Sequence, residues 1–233
     1  MSFRFVLMTL MLGTIVFSSV KPVSAEKMVV DPTGRSVQVP DHPKRIIALA
    51  ANITEIVFAL GQQHRLVGAT RYSNYPAGAL RLPKVGSYIR LDLERILALR
   101  PDLCIGVKDG NPIVIVRRIM ELGIPFYAVD PLNINAVVET VQAIGDLLNA
   151  GENTSTLVNQ MQNRINRIRK LVARSKSRPR VFLQLGISPM VSAGPNTLAG
   201  ELITLAGGTN VVTGSARYPV FSKEQVLSLA PDV

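Results

Sequence analysis

E-R-I-L-A-L-R-P-D-L at 94–103 and E-Q-V-L-S-L-A-P-D-V at 224–233 are one phrase written twice, 130 positions apart. Each begins with a glutamate, Glu94 or Glu224, runs through an apolar helical pattern and stops at Pro-Asp. The match extends upstream. Tyr88 and Tyr218 lie six residues before their glutamates, and Asp92 and Ser222, both good helix N-cap residues, lie two before them. A third echo sets Glu55 to Gly61 (E-I-V-F-A-L-G) against Glu201 to Gly207 (E-L-I-T-L-A-G), here 146 positions apart, so the length differences fall in connecting segments. The chain therefore reads as two related halves.

Between these landmarks short apolar runs alternate with helical patterns. Arg45 to Ala50, Leu66 to Ala69, Leu103 to Gly106 and Phe126 to Val129 read as strands. Helices are expected from Asn52, as a cap with Glu55 three residues on, to Leu60 with Gly61 as the C-terminal stop, over 93–99, and near 112–122. Such alternation predicts a parallel α/β sheet. From Asn135 nearly forty residues are helical in pattern, with a break near Gly151. Leu157, Met161, Ile165, Ile168 and Val172 make one apolar stripe along the second part. The expected fold class is α/β, with two Rossmann-like lobes joined by a long rigid backbone helix. The N-terminal lobe spans 26–134, the helical region 135–178 and the C-terminal lobe 179–233. A single compact domain is the competing reading. In the first half Pro-Asp leads into further strands and a helix, whereas the second half stops at Val233, so the C-terminal lobe is expected to be truncated, by roughly 50 to 70 residues.

Residues 1–25 carry Arg4, an apolar run from Phe5 to Val20 and the small-residue site Val23-Ser24-Ala25. This is the pattern of a secretory signal peptide, with a membrane anchor as the alternative. No cysteine follows the run, so a lipoprotein attachment site is not indicated. Cys104 is the only cysteine and lies in an apolar strand, where a buried thiol is expected and no intrachain disulfide is possible. His42 and His64 stand apart in polar surroundings, which argues against a metal site with several histidine ligands.

The formal charge is +10, and removal of Arg4 and Lys21 leaves +8. The excess is local. Arg164, Arg167, Arg169, Lys170, Arg174, Lys176, Arg178 and Arg180 follow one another without an acid between them. A nucleic-acid stripe would want interleaved aromatics, which the segment lacks, so a solvated helical face is the expected role.

No nucleophile elbow, phosphate loop or dinucleotide fingerprint is present, and an enzyme is not the favoured class. Two lobes on a stiff helix leave a cleft, where small ligands usually bind. Tyr72, Tyr75, Tyr88 and Tyr218, four of the five tyrosines, fall in connecting segments expected at its rim, and flat aromatic faces suit a planar ligand. Helix-dipole stabilisation alone can account for a first-turn carboxylate, but Glu94 and Glu224, placed alike on two lobes, also form a pair able to register on two arginines of a partner.

R-I-I-A-L-A-A-N-I-T-E-I-V-F-A-L-G at 45–61, Y-S-N-Y-P at 72–76, V-G-S-Y-I-R-L-D-L-E-R-I-L-A-L-R-P-D-L at 85–103, R-V-F-L-Q-L-G-I-S-P at 180–189, A-G-G-T-N at 206–210 and F-S-K-E-Q-V-L at 221–227 resemble the bacterial periplasmic substrate-binding proteins of the helical-backbone class, in particular its cobalamin (vitamin B12) binders. The resemblance covers nearly all of the chain after residue 25. It implies a monomeric periplasmic receptor that captures cobalamin or a related corrinoid and delivers it to an inner-membrane ABC permease. It implies no catalytic residue, no metal and no cofactor beyond the transported ligand. Tyr72, Tyr88 and Tyr218 match the aromatic set that grips the corrin, and Glu94 and Glu224 match the glutamates that dock on permease arginines. The chain departs from the pattern in having no tryptophan, with Tyr88, Tyr218 and Val107 at tryptophan positions, Leu185 at an aromatic one and Ala206 where a disulfide-forming cysteine can occur. The same class contains haem and ferric-siderophore receptors, for which Tyr72 or Tyr88 offers an axial ligand. An exported interaction or sensor protein without a transport role is the remaining alternative.

Overall fold

The computed structural model describes residues 25–233, so the expected signal peptide lies outside the described residues apart from Ala25. In chain order the elements begin with a hairpin, β1 (Glu26–Val30) and β2 (Ser36–Pro40). Then come β3 (Ile46–Ala48), α1 (Ala51–Ala59), β4 (Leu66–Ala69), β5 (Gly86–Ser87), β6 (Arg90–Leu91), α2 (Leu93–Ala98), β7 (Leu103–Val107), α3 (Ile113–Glu121) and β8 (Phe126–Val129). Helices α4 (Ile134–Leu147) and α5 (Gly151–Arg174) follow. The last part holds β9 (Arg180–Val181), β10 (Gln184–Ile187), β11 (Met190–Ser192), α6 (Leu198–Leu205), β12 (Thr209–Asn210), β13 (Val220–Phe221) and α7 (Lys223–Leu229).

The first lobe is built on a parallel sheet ordered β4-β3-β7-β8. Successive strand residues point to opposite faces. Ile46, Leu103, Ile105 and Val129 therefore pack on one side, against Ile53 and Val57 of α1 and Ile144 of α4. Ile47, Cys104, Phe126 and Ala128 pack on the other, against Ile96 of α2 and Ile119 of α3. Each fully buried isoleucine contributes roughly 1.5 to 3 kcal/mol. Cys104 is wholly buried, and burial first, then the Asp102 charge, pushes its thiol up to about 12. This is the unreactive thiol the sequence predicts.

The hairpin is fastened to this sheet by Asp31, 2% exposed. Its Oδ2 accepts from Arg35 Nη2 at 2.7 Å and from the Ala128 amide at 3.3 Å. Burial raises the Asp31 pKa, but hydrogen bonds from Thr33 and Arg35 and the Arg35 charge outweigh it and hold the group below its usual value.

The repeat is physical. Asp92 caps α2 by accepting from Arg95 N, and Ser222 caps α7 in a full capping box with Gln225. Gly61 and Gly207, the equivalent residues after α1 and α6, both take positive φ, +71° and +90°, as a helix-ending glycine does. A further duplication lies in a clamp. Arg45 Nε and Nη2 donate to the carbonyls of Arg100 and Leu99 at the end of α2, while Asp102 Oδ1 accepts from Arg45 N at 2.9 Å. In the second half Arg180 Nε and Nη2 donate to Ala230 and Leu229, and Asp232 Oδ2 accepts from Arg180 N at 2.8 Å. Arg100 and Ala230 share a left-handed φ of 45°. The second half pairs β9 with β12 in parallel, as β3 pairs with β4, and buries Ala193, Ile203, Val211 and Val212.

Three expectations are corrected. Asn52 does not cap α1, whose N-cap is Ala50 with no side-chain hydrogen bond; Asn52 lies inside the first turn and lines a cavity with Glu55 and Leu198. The apolar stripe of α5 is only partly covered. Leu157, Val158 and Met161 pack on the first lobe, Val172 lies against Gly207 of the second, and Ile168 between them is 41% exposed. Helix α5, 24 residues and so about 36 Å long, thus touches both lobes. Arg45 to Ala50 is strand only over β3, although Leu49 N still bonds Ile105 O.

Candidate ligand cleft and docking residues

Loops leaving the carboxyl ends of β4 and β7 make the first wall of the candidate cleft, where a parallel sheet places such loops. After β4, Ser73 anchors the segment that carries Tyr72 and Tyr75. Its buried hydroxyl lies 2.9 Å from Thr54 Oγ1 and 3.1 Å from Thr70 Oγ1, and its carbonyl accepts from Lys84 Nζ at 2.8 Å. With Ser73 pinned inward, the flanking Tyr72 and Tyr75 stand out, 57% and 67% exposed.

Tyr88 sits in the turn between β5 and β6, held by Asn111. The buried amide of Asn111 donates to Tyr88 O and Leu49 O, each at 2.9 Å, and its Oδ1 accepts from Val107 N at 2.8 Å. One side chain thus fixes the ends of β3 and β7 and the tyrosine turn together. Gly110 backs the ring: a Cβ there would fall 2.7 Å from Val107 Cγ2 and 3.0 Å from Tyr88 Cδ2, too close for any other residue without a shift.

The second wall carries Tyr218, just ahead of β13, whose antiparallel pairing with β11 fixes it. Arg217 O accepts from Gly194 N at 2.7 Å, and Arg217 Nη1 reaches across to Asp109 Oδ2 at 2.9 Å. Asp109 precedes Gly110 and Arg217 precedes Tyr218, so this pair links the two tyrosine-bearing walls. Both partners are about half exposed, which limits its strength to about 0 to 1 kcal/mol. Lower down, the Ile134 amide at the start of α4 donates to Glu201 Oε2 of α6 at 2.6 Å, a second tie between the halves.

The periplasmic binding protein family matches residues 46–233. The chain belongs to that family. A vitamin B12-binding protein of Yersinia pestis is 34% identical over 191 residues, covering 82% of this chain and 68% of its own length. The solved vitamin B12-binding protein of Vibrio cholerae superposes with a TM-score of 0.75 at 31% identity, covering 82% of this chain and 75% of the other. A periplasmic haem-binding protein of Pseudomonas aeruginosa superposes with a TM-score of 0.76 at 27% identity, covering 81% and 70%. All of these are binding proteins.

In this periplasmic binding protein the two glutamates occupy matching places. Glu94 and Glu224 are exposed in the first turns of α2 and α7, and among the described residues neither forms an ion pair. Hydrogen bonds from Ser222 and from its own amide hold the Glu224 carboxyl below its ordinary value, as suits a carboxylate at a helix N-terminus. Among the described residues no group of three or more His, Cys, Asp or Glu is placed to hold a metal ion. Asn111, the Arg45 and Arg180 clamps and the Asp109–Arg217 pair had escaped sequence reasoning. Arg45 and Arg180 each open a strand of the repeat, and Asp102 and Asp232 are its last aspartates, so the clamp had a signal. Asn111 had none beyond its place after a strand.

Proposed function

We propose that this binding protein captures cobalamin or a related corrinoid between its two lobes, with Tyr72, Tyr88 and Tyr218 against the ring system, and delivers it to an inner-membrane ABC importer. The lobes are residues 26–134 and 179–233, joined by the helical region 135–178. The 34% identity with a vitamin B12-binding protein over 191 residues carries the choice of ligand. The tyrosine-bearing loops on both halves supply surfaces suited to a planar molecule. In this reading the protein is a monomer, exported by cleavage after Ala25, with Glu94 and Glu224 docking on permease arginines, and it performs no chemistry.

A haem receptor is the second reading, supported by the haem-binding structural relatives and by exposed tyrosine hydroxyls able to serve as an axial ligand. Calorimetric titration of the chain from Glu26 on with cobalamin and with haem separates the two. Saturable one-to-one cobalamin binding supports the first reading. Absence of cobalamin heat from a cooperatively folded protein, with a Soret shift on haem addition that Tyr72→Phe or Tyr88→Phe abolishes, replaces it with the second.

A further inference from the structure

Among the described residues, nothing packs on one long face of helix α5. At 100° per residue, Val158, Met161, Ile165 and Val172 share the side turned to the protein, and Arg164, Arg167, Lys170, Leu171 and Arg174 lie around the opposite side. All five of the latter are exposed, Leu171 by 53%, and exposed Ile168 adjoins them. Exposed Lys176 follows the helix directly. Arg169 does not belong to this face: it turns toward α4 and α6, lining cavities beside Glu139 and Glu201. Arg178 is also engaged, donating to the carbonyls of Val172, Ser175 and Ser177 at the helix end.

The five remaining cations are uncompensated. None takes part in an ion pair among the described residues, and no Asp or Glu occurs between Glu152 and Glu201. Elsewhere Lys27, Arg35, Arg95, Lys108, Arg118 and Arg217 each meet a carboxylate. Residues 164 to 174 span about 15 Å of helix axis, so the charge is concentrated along one line.

Such a row attracts a dense array of anions, and the interspersed residues narrow the kind. Single-stranded nucleic acid is held by aromatic stacking as well as by charge, and no Phe, Trp or Tyr occurs between Tyr127 and Phe182. Exposed Leu171 and Ile168 among the cations fit instead a helix lying on a bilayer, with aliphatic groups at the headgroup boundary and lysine or arginine over lipid phosphates. We propose that this face of α5 is a docking surface for an anionic lipid bilayer. It keeps the protein at the membrane surface by electrostatic attraction, independently of the ligand in the cleft.

The test is co-sedimentation of the chain from Glu26 on, which contains every described element, with vesicles of phosphatidylcholine with and without phosphatidylglycerol. Binding is expected only to the phosphatidylglycerol vesicles, to weaken steeply with added sodium chloride, and to fall about a thousandfold in the variant Arg164→Gln/Arg167→Gln/Lys170→Gln/Arg174→Gln. These side chains are exposed, so the variant should melt like the parent. Equal binding to uncharged vesicles, no binding at low salt, or equal binding by a folded variant overturns the proposal. Tighter binding to a short duplex DNA than to the charged vesicles assigns the face to nucleic acid instead. The salt series on the unaltered chain decides the matter even if the variant fails to fold.

Discussion

Asn111→Ala tests whether the first wall of the cleft is organised by one buried amide. The substitution removes three hydrogen bonds and leaves Val107 N–H, Leu49 O and Tyr88 O without this partner at a site only 7% exposed. At about 1 kcal/mol net for each bond the loss is about 3 kcal/mol, a large part of the roughly 5 to 15 kcal/mol that holds a domain together. With a urea m-value of about 2 to 3 kcal/mol/M, the unfolding midpoint should drop by about 1 to 1.5 M. Ligand affinity should also fall under conditions where the variant is still folded, because Tyr88 loses the contact that sets its turn. Asn111→Asp keeps the acceptor for Val107 but turns a carboxylate toward two carbonyls. That buried carboxyl would have a raised pKa, so its deficit should be full near neutrality and shrink as pH falls toward about 4. A midpoint drop of less than about 0.3 M for the alanine variant would refute the reasoning on stability. The expected destabilisation with unchanged affinity would refute it on the cleft.

The duplicated clamp predicts duplicated costs: Arg45→Ala and Arg180→Ala should each lose about 1 to 2 kcal/mol in denaturant titrations, and a loss confined to Arg45 would show that the two copies are not equivalent in energy. Asp31→Asn should lower stability at neutral pH. A carboxylate whose folded pKa lies below its unfolded value adds stability that is fully present above about 4 and disappears as pH falls through the folded value, so parent and variant melting curves should converge in acid. Charge reversal at both Glu94 and Glu224 should reduce ligand uptake by cells while calorimetric affinity stays unchanged; undiminished uptake would remove the docking role.

What was legible in the sequence was local. Asp92 and Ser222 announce helix starts because a cap acts over three residues, and Gly61 and Gly207 announce helix ends because glycine takes the required positive φ at no steric cost. The strands of the first sheet were legible because burial on both faces makes them continuous apolar runs. Asn52 misled because a polar residue beside an expected helix start has the same local pattern whether it caps the helix or faces a neighbouring one. Asn111 and Arg217 were hidden for a different reason. Apart from Val107, four residues from Asn111, the partners of their side chains lie 23 to 108 residues away and come near only after the sheet and the second half are assembled.

The repeat makes the two walls comparable, and its insertions make them unequal. From Arg45 to Glu55 is 10 positions, but from Arg180 to Glu201 is 21, the excess being the β10–β11 hairpin. From Gly61 to Glu94 is 33 positions, whereas Gly207 to Glu224 is 17, so the segment carrying Tyr72 and Tyr75 has no counterpart in the second half. Tyr88 and Tyr218 are thus equivalent in the repeat but differ in support. Tyr88 rests on Gly110 and is tied through Asn111 to two strand ends; Tyr218, 58% exposed, depends on the short pairing of β13 with β11. A side chain fixed before the ligand arrives loses less freedom on binding, at about 0.5 to 1.5 kcal/mol per immobilised side chain. Tyr88→Ala should therefore weaken binding more than Tyr218→Ala, by a further factor of about three to ten. Calorimetry on the two single variants measures the difference. Equal losses would mean that the two walls contribute alike and that pre-organisation of the first has no bearing on affinity.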